Sequence, residues 1–309
     1  MNRRPRLRYV AAGVVALVAI AVIAGAVAAE RGGSSASAGG SSKSPNFNQL
    51  IVATTTSLKD SGLLDDVVLP AYKAAHPDIT VKLVAQGSGA AIAMAQAGNA
   101  DVLLVHSPAD EEKFMAEDYG TLRLPFAYNY FTIVGPKNDP AKVASAPDAA
   151  TAFKQIAATD SKFVSRGDKS GTNLKELKLW NAAGVTTDPT QDPTFSNYIK
   201  TSQGMAQTLQ IANEKDAYTL TDTATYLSLK STLPHLTPLL KEGADLKNQY
   251  NVILINQIKF PQVNASGAEF LAALLVSPEG QKAIGEYGKA KYGQALFTPD
   301  ASSLGTLSQ

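Results

Sequence analysis

From Gln49 onward the chain alternates short apolar, β-branched runs with helix-length stretches, and this alternation restricts it to a largely parallel sheet flanked by helices. Leu50 to Thr54 reads as a first strand, Gly62 to Ala75 as a helix stopped by Pro77, Ile79 to Ala85 as a second strand and Ala90 to Ala97 as a helix. Asp101 to Val105 is a third strand, followed by an acidic helix from Pro108 to Asp118 and an apolar run at Phe131 to Val134. The pattern restarts with a helix at Asp148 to Ala158, a strand at Lys162 to Val164 and helices at Gly171 to Ala183 and Gly204 to Asn213. A strand at Ala217 to Leu220 and a helix at Asp222 to Ser231 complete the second unit, and Asn251 to Asn256 is a late return strand. Two α/β units with a late return predict two lobes joined by crossings near residues 130–135 and 247–252. Lobe 1 then comprises 49–133 plus 250–309, and lobe 2 comprises 134–249. In such sheets the strands' carboxyl ends face the cleft where ligands bind.

Upstream of this body, Arg3, Arg4, Arg6 and Arg8 precede an uncharged apolar run from Tyr9 to Ala29 that ends in small residues, including Ala26-x-Ala28. Residues 1–31 are therefore expected to be a signal peptide or, since the run is long enough to span a bilayer, an uncleaved membrane anchor helix. Residues 32–48 read as a Gly/Ser-rich tether. With the positive end cytoplasmic, the remainder is expected outside the cytoplasm, secreted or membrane-anchored. A twin-arginine signal fits poorly, because Pro-Arg-Leu follows Arg3-Arg4.

The whole chain carries 28 Lys plus Arg and 27 Asp plus Glu. Without the arginine-rich leader, the body is mildly acidic, so a diffuse basic surface for nucleic acid is excluded. There is no cysteine, which removes disulfides, thiolate metal sites, a cysteine nucleophile and the lipid-bearing residue of a lipoprotein. His76, His106 and His235 show no ligand spacing, and neither a protein-bound metal nor a cofactor is expected.

Three strand-to-helix turns concentrate hydroxyls and glycines: Thr54-Thr55-Thr56-Ser57, Gly87-Ser88-Gly89, and Ser165 to Thr172 in the second unit. Helix N-termini expose unpaired N–H groups and a partial positive charge, and Ser or Thr adds a donor without negative charge. One such turn is an ordinary cap; three together point to a bound anion. Arg166 lies inside the third turn, and beyond residue 31 only Arg123 and Arg166 are arginines. A guanidinium keeps its charge and offers a planar fork to two oxygens. Arg123, between Leu122 and Leu124, reads as structural. Trp180 and Tyr226 fall at core spacing, and Glu111, Glu112, Glu117 and Asp118 read as a solvated helix face.

Ala53 to Ser57, Asp60 to Leu64, Ala100 to His106, Ser165 to Thr172 and Ala217 to Asp222, with Gln203-Gly-Met205 and Lys291-Tyr-Gly293, closely resemble the tungstate-binding proteins of ABC transporters. The likeness runs in order from about Leu50 to Asp300. It implies an α/β, two-lobed, periplasmic-binding-protein-like fold of type II, a tungstate or molybdate oxyanion as ligand, and delivery to an ABC permease driven by its ATPase. By position it makes Thr55, Thr56 and Ser57 first-lobe donors, Ser88 a second-turn donor, and Arg166, Ser170, Gly171 and Thr172 the second-lobe clamp, with Thr221 a further candidate. The anchoring cysteine of the lipoprotein form is absent, which leaves membrane retention to the apolar N-terminus. A monomer is expected.

Two rival readings stay open at this level. Arg166-x-x-x-Ser170-Gly-Thr172 also resembles the clamp of phosphate-binding proteins, with Asp168 available to accept a phosphate proton. Thr56-x-x-Lys59 and Lys169-Ser170-Gly171 loosely echo exported penicillin-recognising hydrolases, without an S-D-N element between them. No nucleotide-binding or G-x-S-x-G motif occurs.

Overall fold

The computed structural model describes residues 47–186, 195–240 and 243–301. The expected signal or anchor, 1–31, and nearly all of the tether, 32–48, lie outside the described residues.

β1 (Gln49–Thr55) lies between β2 (Thr80–Gln86) and β3 (Val102–Val105), parallel to both. The antiparallel neighbour of β3 is β9 (Lys247–Ile255), which pairs in turn with the 17-residue β4 (Gly120–Pro136). The path of the sheet is completed at β4 by the two-residue β10 (Thr298–Pro299). Beyond Tyr130, which pairs with Lys247, β4 leaves β9 and instead pairs with β7 (Thr219–Asp222) and β8 (Leu236–Leu240). One strand thus serves two packing regions. A small parallel pair, β5 (Phe163–Ser165) and β6 (Tyr198–Lys200), adjoins β7 through a bridge from Phe163 to Tyr218.

Strands in the middle of the sheet are buried on both faces, which explains why they read as continuous apolar runs. Val102 and Leu104 join one core with Leu50, Val52, Tyr72 and Leu271, beneath α2 (Leu69–Ala75), α9 (Ala265–Val276) and α10 (Pro278–Glu286). Leu103 and Val105, one residue out of phase, join the opposite core with Ala53, Ile92, Phe114 and Ile253, beneath α3 (Ser88–Gln96) and α4 (Pro108–Ala116). Farther along β4, Ile133 packs with Phe153, Phe163, Trp180 and Tyr198 under α5 (Ala149–Ala158) and α6 (Gly171–Ala182). Val134 turns the other way, toward Met205, Leu209 and Tyr226 of α7 (Met205–Glu214) and α8 (Thr223–Leu229). Trp180 and Tyr226 are buried, as their spacing implies.

The helix expected over 62–75 is present, as a π-turn running directly into α2 (Leu69–Ala75), and a separate short helix precedes it. A five-residue α1 (Thr56–Asp60) ends at Ser61, whose hydroxyl turns back to the Leu58 carbonyl at 2.7 Å, and Gly62 takes φ +83°. A π-turn, Leu64–Val68, then leads into α2. Of the acidic face expected on and after α4, Glu112, Glu117 and Asp118 are exposed as expected, but Glu111 is fully buried. It accepts from Arg123 Nε at 2.7 Å, Asn251 Nδ2 at 2.7 Å and the Ser107 N–H at 2.6 Å. Arg123 and Asn251 sit on the crossing strands, so the carboxylate ties α4 to both. The buried acid is compensated rather than solvated.

Candidate functional site

The registers Thr55↔Gln86 and Thr54↔Leu104 place the carboxyl ends of β1, β2 and β3 along one edge of the sheet. The turns after them therefore adjoin. Thr54 Oγ1 donates to the Leu104 carbonyl at 3.0 Å, and Thr55 Oγ1 caps α1 by accepting from the Leu58 N–H at 3.2 Å. Ser57 Oγ lies 3.2 Å from Thr55 Oγ1 and 3.2 Å from His106 Nε2. Gly87 and Ser88 begin the nine-residue α3 beside them.

Facing this edge is the loop from Ser165 to Ser170, which opens α6. Its shape is set by short polar bonds and two left-handed residues, Gly167 at φ +60° and Lys169 at φ +58°. Asp168 Oδ1 accepts from the Ser170 N–H at 3.1 Å, and Ser170 caps α6 by accepting from the Asn173 N–H at 3.3 Å. Ser165 Oγ donates to the buried Glu176 at 2.6 Å, and Tyr198, Trp180 and Asn173 donate to the same carboxyl. Burial pushes Glu176 up to about 7, against the opposing effect of those four donors.

Arg166 is a fully buried side chain, 2% exposed. Its Nη2 donates to Asp168 Oδ2 at 2.6 Å and, across to the first unit, to Thr56 Oγ1 at 3.1 Å. Glycines permit the close approach of the two units. A Cβ on Gly87 would lie 3.2 Å from Ser170 Cβ, and one on Gly171 would lie 2.7 Å from the His106 carbonyl oxygen.

Three buried side-chain atoms in this interface lack a hydrogen-bond partner among the described residues: Ser88 Oγ, Arg166 Nε and Thr172 Oγ1. Leaving such atoms unpaired in a folded interior is costly, and each is a donor with unused capacity. They belong to α3, the clamp loop and α6, so the unused donors come from both units and sit at the N-termini of two helices of nine and 12 residues.

The structure brings Thr55, Thr56, Ser57, Ser88, Arg166, Ser170, Gly171 and Thr172 to this interface. Thr221 behaves differently. It is buried on β7, where its hydroxyl donates to the Asp222 carbonyl at 3.3 Å. Its neighbour Asp222 accepts from Asn129 Nδ2 through Oδ1 at 3.0 Å and from Thr225 Oγ1 through Oδ2 at 2.6 Å. Sequence reasoning set His106 aside as an isolated histidine, yet it is buried and bonded to Ser57 and to Asn248 Oδ1, the latter at 2.7 Å. Its place at the carboxyl end of β3 was the available signal. Burial pushes it down to about 4, and the charge of Arg166 acts in the same direction.

Ser57, His106 and Asn248 are spaced like a nucleophile relay, but Ser57 is fully buried, and the cleft lined by His106, Phe131, Gly171, Lys175 and Asn248 does not extend to it. Lys59 and Lys169, on which the penicillin-recognising echo depends, are both exposed. Among the described residues no group of three or more His, Asp or Glu could hold a metal ion.

A sheet whose strand ends present unpaired donors, met by a second unit across two crossing strands, defines a domain of the periplasmic-binding-protein class. A sequence profile described as a PBP superfamily domain matches residues 29–279. The tungstate-binding protein TupA of Peptoclostridium acidaminophilum is 45% identical over 255 residues, covering 82% of this chain and 86% of that protein. Among solved structures, the tungstate ABC transporter protein from Geobacter sulfurreducens is 42% identical with a TM-score of 0.69, over 77% of this chain and 98% of that one. The tungstate-binding protein TupA from Desulfovibrio alaskensis is 38% identical with a TM-score of 0.67, over 82% and 98%. The chain belongs to the PBP superfamily and, within it, to the family of the tungstate-binding protein TupA.

Proposed function

We propose that this protein is the extracytoplasmic receptor of an ABC importer, capturing one tetrahedral oxyanion, tungstate or molybdate, between its two units. The observation that carries this reading is the set of three unpaired buried donors, Ser88 Oγ, Arg166 Nε and Thr172 Oγ1, divided between units that touch through glycines. Tungstate and molybdate near neutral pH offer only acceptors, so a site of donors suits them. Phosphate retains a proton through part of that range and needs an acceptor. The one carboxylate in the clamp, Asp168, is engaged by Arg166 and the Ser170 N–H, which supports the other oxyanions over phosphate.

In this reading residues 49–133 plus 250–309 act as lobe 1 and 134–249 as lobe 2, with β4 and β9 as the hinge. The anion settles first on the turns around Thr55, Thr56, Ser57 and Ser88. Closure then brings Arg166, Ser170, Gly171 and Thr172 onto it, and exclusion of water strengthens each charged hydrogen bond. The closed monomer docks on a permease coupled to its ATPase, and residues 1–31 serve as signal or anchor. Among the described residues no helix is long and apolar enough to cross a membrane. Competition calorimetry with tungstate, molybdate, sulfate and phosphate tests the ligand assignment. Submicromolar binding of the first two is expected, and preferential binding of phosphate would reverse it.

A further inference from the structure

The buried hydrogen bonds behind Ser57 run in one direction. Asn129 Nδ2 donates to Asp222 Oδ1 at 3.0 Å, which leaves Asn129 Oδ1 to accept from Asn248 Nδ2 at 2.8 Å. Asn248 Nδ2 also donates to the Tyr250 hydroxyl at 3.0 Å, so the Asn248 group facing His106 Nδ1 at 2.7 Å is the carbonyl oxygen. Nδ1 therefore carries the hydrogen, and Nε2 of a neutral ring is a lone pair. The Ser57 hydroxyl lies 3.2 Å from that nitrogen and 3.2 Å from Thr55 Oγ1, so two buried acceptors compete for its only proton. While either neighbour holds that proton, Ser57 does not offer it to an anion.

Charge balance adds a second constraint. Arg166, the buried cation of the clamp, is already paired with Asp168 at 2.6 Å, so an arriving dianion meets a pair of no net charge. Around His106 stand Arg166 from the clamp loop, Tyr250 from β9 with ring centroids 4.8 Å apart, and Phe131 from β4. Asp110 of α4, Lys175 and Lys178 of α6 and Lys247 of β9 share its cleft. The charge of Arg166 helps to keep the imidazole neutral, and a dianion set against that guanidinium cancels this influence.

We propose that His106 is the positioning residue of the oxyanion site, and that anion capture takes up one solvent proton at His106 Nε2. The imidazolium then donates to Asn248 Oδ1 and to Ser57 Oγ together, and the Ser57 hydroxyl turns its proton to the anion. The inference rests on the oxyanion reading above.

Titration of the full-length protein with sodium tungstate, in buffers of differing ionisation enthalpy, counts the protons. Near about pH 6, between the value for the free site and the upper range of histidine, uptake close to one proton per tungstate is expected. The count should decline at higher pH, and affinity should fall with rising pH by up to about tenfold per unit while uptake persists. His106→Gln should bind with no proton uptake at His106 and with affinity nearly independent of pH. Nitrogen NMR of the histidine side chains reads the same event without a substitution, as a change of His106 from the neutral Nδ1–H tautomer to imidazolium. Tungstate binding without proton uptake, uptake that persists undiminished in His106→Gln, or a ring that stays neutral in the complex would each overturn the inference and leave the receptor reading intact. Absence of tungstate binding would remove both.

Discussion

Arg166→Ala tests the clamp most directly. The guanidinium is held in place by Asp168 and Thr56 through one nitrogen, Nη2, while Nε is buried and unpartnered. It is therefore positioned before the anion arrives and retains a donor for it. Truncation removes that charge-assisted donor and the Arg166–Thr56 bond between the units, and it leaves Asp168 as an uncompensated negative charge beside a dianion. Losing one partner of a buried charged contact costs about 2 to 5 kcal/mol, so the Kd for tungstate should rise roughly 30-fold to several-thousand-fold. Arg166→Lys keeps the charge but loses the planar fork, and should fall between Ala and wild type. Calorimetry reads the affinity, and thermal melts of the ligand-free variants establish that they are folded. A folded Arg166→Ala protein that binds tungstate within about threefold of wild type, about 0.7 kcal/mol, would refute the role assigned to this side chain.

Gly171→Ala places a Cβ 2.7 Å from the His106 carbonyl oxygen, so the units cannot close fully; affinity should fall by at least about tenfold with every donor still present, and unchanged affinity would show that closure does not depend on this contact. Glu176, with a folded value of about 7 against an ordinary 4.5, contributes stability that is present below about pH 4.5 and lost as pH rises through 7; His106, at about 4 against 6.5, acts oppositely, its penalty fading as pH rises from 4 to 6.5. The two slopes, each approaching ~1.4 kcal/mol per pH unit, oppose one another between about 4.5 and 6.5, so Glu176→Gln should turn a shallow wild-type profile into one that climbs with pH, as followed by denaturant unfolding. Arg123→Ala strips the buried Glu111 of its counter-ion and should cost about 3 to 5 kcal/mol of stability at neutral pH, less in acid where Glu111 can protonate; a change under about 1 kcal/mol would refute this pairing as the compensation for that acid.

The parallel strands of the first unit were legible because a strand buried on both faces must be apolar at every position, as β3 is from Val102 to Val105. The crossing strand was not. Only its last apolar run, Phe131 to Val134, stood out from sequence, because residues 120–130 include Arg123, Pro125 and Asn129, whose polar groups are matched by partners from α4, β7 and β9. Local pattern cannot show a polar residue that is buried because its partner comes from elsewhere in the chain. β8 was missed for a different reason, since Pro238 stands inside its five residues and a proline within a run argues against a strand. The break between α1 and α2 depends on the bond from Ser61 to Leu58, for which hydrophobic spacing carries no sign.

In the candidate site the donors could be read and the acceptors could not, and the difference follows from how each is assembled. A donor turn is local: a hydroxyl, a glycine and a helix start within four residues announce it, as at Gly87-Ser88-Gly89. The layer behind it joins Ser57 to His106, His106 to Asn248 and Asn248 to Asn129, across separations of 49, 142 and 119 residues, and no spacing rule links them. Both asparagines sit on the crossing strands, where they are direct partners in the β4–β9 ladder. Thr221, seen in the sequence as a hydroxyl at a strand end, lies on β7 with its hydrogen bond directed along its own chain. Ser88 and Thr172, in the first turns of α3 and α6, differ from it in that their buried hydroxyls have no partner among the described residues.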